Sequence, residues 1–251
     1  MGTAQFDMFM LIPRSIELII YITCAILIYR RRKEYYLNKV YTISLIGWCF
    51  YVLGDMLFHL LGHLEPSSWG LIDVGGELME LPIITNMIRD IATIGGATLA
   101  FGFLYASLLI RYGENKLKEK KSIIIFTVTS LTTAILVGVF DNIIRTQDKT
   151  IVSTNVTPYS LIFILVEVII YLFGVYTHLN AYNKIDESRP EKKRILLFIL
   201  GTLFIAVGMI YFIIIGIVIP PPGHPYITGP IGHAIWILSP LCIYWGLRRV
   251  K

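Results

Sequence analysis

Three ionisable residues, Asp55, His59 and His63, are spaced four positions apart in a segment that is otherwise apolar. Residues at i, i+4 and i+8 lie on one face of an α-helix, each about one turn above the last. Ionisable side chains are costly inside a membrane, and where they occur they commonly mark a functional site. Two His at i and i+4 can bind one metal ion, which a carboxylate and a further His would complete. The stripe therefore indicates a ligand site or a metal site.

Other apolar segments carry polar residues at a similar depth. These are Glu17, Asp90, Glu167 and His233, accompanied by Tyr51 and Trp236. Arg14 and Glu17 are three residues apart, a spacing that suits a local ion pair. A lone carboxylic acid near the bilayer centre, such as Glu167, is expected to be protonated or paired. Together with Asp55 and His59, we expect these residues to line one polar pocket that opens to the outside.

The elements that would position these residues are membrane-spanning helices. The chain of 251 residues is 55% apolar and only 16% charged, with a mean hydropathy of +0.69. Apolar runs of about 20 residues predict transmembrane helices. Seven such runs predict an all-α bundle that forms one membrane domain over residues 1–251, without a soluble domain. The predicted spans are 9–29, 40–64, 89–110, 122–144, 158–179, 195–219 and 227–246.

The distribution of charge predicts the orientation of the bundle. Eighteen of the 22 lysines and arginines fall in the connections after spans 1, 3 and 5 and in the C-terminal tail. The positive-inside rule then places the N-terminus outside and the C-terminus in the cytoplasm of a multi-pass cell-membrane protein. The net charge of +5 is explained by this topology and by contact with lipid headgroups. It therefore does not indicate a nucleic-acid partner.

Two further segments have a structural interpretation. Ala92, Gly96 and Ala100 form a stripe of small residues in span 3, which favours close packing of helices in lipid. The connection over residues 63–88 is the longest in the chain, and connections of this length are often functional. We expect its residues 75–81 to lie along the membrane interface or to cap the bundle.

The metal hypothesis would use His59, His63, His233 and Asp55 as ligands, with zinc or another transition metal as the cofactor. Seven spans with His59 on span 2 and His233 on span 7 resemble the alkaline ceramidase and adiponectin-receptor superfamily. In this resemblance Asp55 occupies the place of a Ser in the Ser-x-x-x-His motif, and Asp90 the place of an Asp on span 3. The chain departs from the pattern at Ile237, where a second span 7 His would be needed. The resemblance therefore does not extend to membership or to the superfamily's chemistry.

Retinal is excluded as a cofactor, because a Schiff base would need a Lys within span 7 and none is present there. Three functions remain open. A sensor or receptor would bind a small molecule or ion from outside and signal to a separate cytoplasmic or membrane protein partner. A metal-dependent hydrolase would act on a lipid or an amide. A structural or accessory subunit would use the polar residues only to hold the bundle together.

Overall fold

A computed structural model describes residues 3–31, 34–61, 69–74, 77–140, 158–215 and 227–247. The long helices are α1 (Thr3–Arg31), α2 (Tyr36–Leu61), α3 (Ile83–Tyr112), α5 (Lys120–Phe140), α6 (Pro158–Tyr182), α7 (Pro190–Ile213) and α8 (Thr228–Gly246). A short helix, α4 (Glu114–Leu117), separates α3 from α5. Each long helix overlaps one of the predicted spans.

The apolar character of these helices makes the chain a multi-pass membrane protein. Five of them, α1, α2, α3, α6 and α7, contain stretches long and apolar enough to cross a membrane. Large apolar side chains such as Ile19, Ile43 and Ile169 are exposed on their outer surfaces. Exposed apolar surface of this extent suits contact with lipid and not with water. The predicted helical membrane fold is confirmed at this level.

One β-hairpin interrupts the helical pattern. Strand β1 (Trp69–Val74) pairs antiparallel with β2 (Glu77–Pro82), and Trp69 lies opposite Pro82. The hairpin falls within the long connection between α2 and α3, where we expected an interfacial or capping segment. Gly75-Gly76 stands between the two strands in sequence, a pairing typical of tight hairpins. This pair was the available signal for a hairpin that the all-α prediction did not include.

Helices α2 and α3 approach each other most closely where small residues face each other. A Cβ added to Gly54 would meet the Cβ of Ala92, and one added to Gly47 would meet the side chain of Thr98. Ala92 and Ala100 are themselves buried. The small-residue stripe of α3 therefore packs against α2, as predicted, and holds the α2 residues of the site at a fixed depth.

Candidate functional site

Helix α1 supplies the centre of a buried polar cluster. Arg14, Glu17 and Tyr21 follow one another at i, i+3 and i+7, so they lie on one face of the helix. All three are buried, because this face of α1 packs against α2 and α8. The cluster therefore joins the first, second and last long helices.

The outer member of the cluster is an ion pair between helices. Arg14 Nε lies 2.5 Å from Asp55 Oδ2, with 10% of the Arg14 side chain and 15% of the Asp55 side chain exposed. The spacing of Arg14 and Glu17 predicted a local ion pair within α1, and this prediction is wrong. Arg14 instead contacts Asp55 of α2. Glu17, three residues further along the same face of α1, contacts both Trp48 of α2 and His233 of α8.

Glu17 forms the buried centre, and both of its carboxylate oxygens are occupied. Trp48 Nε1 donates a hydrogen bond of 2.6 Å to Oε1. His233 Nδ1 lies 2.5 Å from Oε2. The Glu17 side chain is 0% exposed, so these two partners take the place of water as its hydrogen-bonding environment. One carboxylate thus connects α1 to both α2 and α8.

Hydrogen bonds to the backbone extend the cluster to α7. The Tyr21 hydroxyl donates to the carbonyl oxygen of Trp236 at 3.1 Å. Trp236 Nε1 in turn donates to the carbonyl oxygen of Ile205 at 3.3 Å. Trp236 of α8 is therefore hydrogen-bonded to both α1 and α7.

Aromatic rings enclose the Glu17 carboxylate. The ring centroids of Trp48 and Trp236 are 5.1 Å apart in an edge-to-face arrangement, and those of Trp48 and Tyr51 are 4.7 Å apart. Phe212 of α7 contacts both His233 and Trp236, at 5.8 Å and 4.7 Å. Such rings exclude water, which strengthens the electrostatic interactions inside the cluster.

Contacts in the described part of the chain join five of the eight residues of the expected pocket: Glu17, Tyr51, Asp55, His233 and Trp236. Asp55 joins through Arg14, which the sequence analysis treated only as a local partner. These contacts link side chains of α1, α2 and α8.

The remaining pocket residues lie on α6 and α3 or are not described at side-chain level. Glu167 is half-buried on α6, a helix that packs mainly against α3 and α7. Asp90 is half-buried on α3, two residues before the Ala92 contact with α2. Helix α2 includes His59, but the His59 side chain and all of His63 lie outside the described residues.

The proposed metal ligands are not assembled by the described side chains. Within the described residues no three His, Cys, Asp or Glu side chains come together in a way that could hold a metal ion. Asp55 contacts Arg14, and His233 contacts Glu17. Since the other two candidates, His59 and His63, are not described at side-chain level, the metal site stays a prediction.

The sequence analysis overlooked a second buried polar contact. His178 of α6 is fully buried, and its Nε2 lies 3.1 Å from the Ser107 hydroxyl of α3. The Phe198 ring of α7 packs beside it, with centroids 6.1 Å apart. His178 was identifiable as an ionisable residue in an apolar run, by the same rule that selected Asp55.

No protein-family model matches the chain. No curated protein matches it either.

Proposed function

We propose that the chain is a sensor- or receptor-like membrane protein whose ligand-responsive site is the cluster around Arg14, Asp55, Glu17 and His233. The observation that carries the proposal is the fully buried Glu17 carboxylate, bonded to Trp48 on one helix and His233 on another. A buried ion pair adds little stability over apolar residues of similar volume. Ionisable residues within a membrane bundle are for that reason functional candidates by default.

The proposal includes seven crossings with the N-terminus outside. The seven long helices and the concentration of lysine and arginine at alternate connections support this topology. Arg14 and Asp55 then lie towards the outer face, because the basic connection between α1 and α2 is at the opposite end of both helices. A ligand from outside would reach this pair before the Glu17 carboxylate.

The ligand is a small molecule or ion that displaces one member of the Arg14–Asp55 pair from the other. A carboxylate or phosphate group suits Arg14, whose guanidinium binds such groups through two parallel hydrogen bonds. Both residues of the pair retain some exposure, whereas Glu17 has none. Ligand binding would release Asp55 from Arg14 and so change the packing of α1 against α2.

The signal would leave the site through α8 and α7. Trp236 accepts a hydrogen bond from Tyr21 and donates one to Ile205, so it connects three helices. Pro240 lies inside α8, one turn after Trp236, and a proline there offers a point at which the helix can bend. The signal would pass to a separate protein that contacts the basic inner connections.

Thermal unfolding tests the proposed site. The purified protein would be unfolded in the presence of a panel of small carboxylic acids, phosphates and amines. A ligand that binds the folded state raises the melting temperature. We expect at least one acid to stabilise the wild type and to lose its effect in Arg14→Gln. A shift that survives both Arg14→Gln and Asp55→Asn would overturn this site assignment.

A structural or accessory role is the second candidate. The observation in its favour is that Arg14 pairs with Asp55 and Glu17 contacts both Trp48 and His233, so that these contacts join α1, α2 and α8. Such bonds can hold a membrane bundle together without a ligand. Stable co-purification of partner subunits, with no response to the panel, would favour this role.

The metal-dependent hydrolase remains a separate proposal. It needs His59 and His63 to converge with His233 and Asp55 on one metal ion. Metal analysis of the purified protein tests it directly, as set out in the Discussion.

A further inference from the structure

A long apolar groove runs along the outer surface of α1 and α2, away from the polar cluster. Its volume is about 910 Å³. Apolar side chains of both helices form its walls, among them Ile22, Ile26, Ile43, Ile46, Phe50 and Leu53. All six are exposed in the folded chain. An exposed apolar surface of this size indicates a binding partner or lipid.

One end of the groove is basic. Arg30, the penultimate residue of α1, and Lys39, in the first turn of α2, both line it. Tyr29 lies beside them, as expected for an aromatic side chain at the level of lipid headgroups. Among the described residues, neither Arg30 nor Lys39 forms an ion pair, whereas Arg31 lies over the ring of Tyr244. The two positive charges are thus directed at this end of the groove by different helices.

The length of the groove matches a lipid chain. From Lys39 to Leu53 helix α2 rises about 21 Å, which is more than half of the hydrocarbon core of about 30 Å and so exceeds the depth of one leaflet. On the floor between the helices the Thr42 hydroxyl donates a hydrogen bond to the Ala25 carbonyl at 3.5 Å. The groove therefore extends from the headgroup region into the hydrocarbon core, and the hydroxyl on its floor is already paired.

We propose that this groove is a binding site for a phosphate-bearing anionic lipid. The acyl chain lies between α1 and α2, and the phosphate contacts Arg30 and Lys39. Arginine binds phosphate oxygens through two parallel hydrogen bonds, and lysine supplies a compact positive charge. Basic pockets between transmembrane helices on the cytoplasmic side are typical of anionic headgroup sites. Charge complementarity at one end and apolar walls along the rest select a lipid over a second copy of the chain.

The test compares lipids that share acyl chains and differ in headgroup. The full chain, purified in a neutral detergent, would be titrated with phosphatidylglycerol, phosphatidylcholine or inorganic phosphate, and bound lipid counted by native mass spectrometry. We expect retention of phosphatidylglycerol in preference to phosphatidylcholine. The double variant Arg30→Gln/Lys39→Gln should bind phosphatidylglycerol roughly 30-fold more weakly. The control Lys120→Gln/Lys121→Gln removes equal charge from exposed positions on α5 and should bind as the wild type does.

A second variant separates the apolar part of the site from its charges. Ile43→Trp fills the groove at an exposed position, so the fold should be retained while lipid retention falls. Equal retention of phosphatidylglycerol and phosphatidylcholine would overturn the proposal. So would an equal loss of phosphatidylglycerol binding in Arg30→Gln/Lys39→Gln and in Lys120→Gln/Lys121→Gln. Competition by inorganic phosphate at lipid concentrations would also overturn it, because a free phosphate site needs no apolar groove. If Ile43→Trp instead converted a dimer to a monomer with lipid retention unchanged, the occupant would be a second copy.

Discussion

Glu17 and His233 are 216 positions apart in the chain, yet Oε2 of the carboxylate lies 2.5 Å from Nδ1 of the imidazole. This contact closes the bundle between its first and last long helices. Trp48 bonds the other carboxylate oxygen, so three helices meet at one buried group.

Removal of either partner of the Glu17–His233 contact should destabilise the bundle. Glu17→Gln or His233→Gln leaves the other residue buried with an incomplete set of partners, at a cost of about 3 kcal/mol in the free energy of unfolding. Because the two residues interact directly, the double variant should lose less than the sum of the singles, by about 1–3 kcal/mol. Unfolding titrations in detergent would give the free energy of unfolding of the wild type, the two single variants and the double variant. Strict additivity would show that the contact contributes nothing.

Removal of one partner of the Arg14–Asp55 pair should cost more stability than removal of one partner of an exposed pair. We expect Arg14→Gln and Asp55→Asn each to lower the free energy of unfolding by about 2 kcal/mol, since the pair is largely buried. The matched control is Lys118→Gln, which breaks an i, i+4 pair with Glu114 at the surface and should cost less than about 1 kcal/mol. Equal losses at both pairs would contradict the burial of Arg14 and Asp55.

The Trp48 indole should stabilise the fold through its N–H group as well as through its ring. Trp48→Phe retains an aromatic ring beside Trp236 but removes the donor to Glu17 Oε1, which leaves part of a buried carboxylate unsatisfied. A loss of about 1–3 kcal/mol is expected. Trp245→Phe serves as the control, because Trp245 is exposed. In thermal unfolding, the melting temperature of Trp48→Phe should lie below that of Trp245→Phe. Similar melting temperatures would argue against the Trp48–Glu17 bond.

Metal analysis distinguishes the sensor proposal from the hydrolase proposal. The sensor proposal leaves His233 bonded to Glu17, and we expect no stoichiometric zinc, copper or iron in the purified protein. His59→Ala and His233→Ala are the matched variants. Stoichiometric metal in the wild type that both variants lose would favour the hydrolase, because it would require His59 and His233 to converge on one ion.

Much of the fold was predictable from hydropathy alone. The predicted spans 158–179 and 227–246 nearly coincide with α6 (Pro158–Tyr182) and α8 (Thr228–Gly246), because a run of apolar residues fixes the extent of a membrane helix. The hairpin of β1 and β2 was missed, since each strand is only six residues long, too short to stand out in hydropathy averaged over the length of a membrane span.

The partners within the site were less predictable than its members. Spacing along α1 favoured Arg14 with Glu17, but Arg14 pairs with Asp55 of α2 and Glu17 with His233 of α8. These partners depend on how α1 packs against α2 and α8, which a single sequence does not reveal. Phe212 was missed because an apolar ring in an apolar helix gives no signal.

The most direct test of the proposed function is tryptophan emission from oriented proteoliposomes, because Trp48 and Trp236 both belong to the cluster. An acid that stabilises the protein in the thermal panel would be added to one side of the membrane at a time. The sensor proposal predicts an emission change on addition from the outer, N-terminal side, which Arg14→Gln abolishes and Lys118→Gln retains. A response only from the cytoplasmic side, or an unchanged response in Arg14→Gln, would contradict an outward-facing site at this cluster.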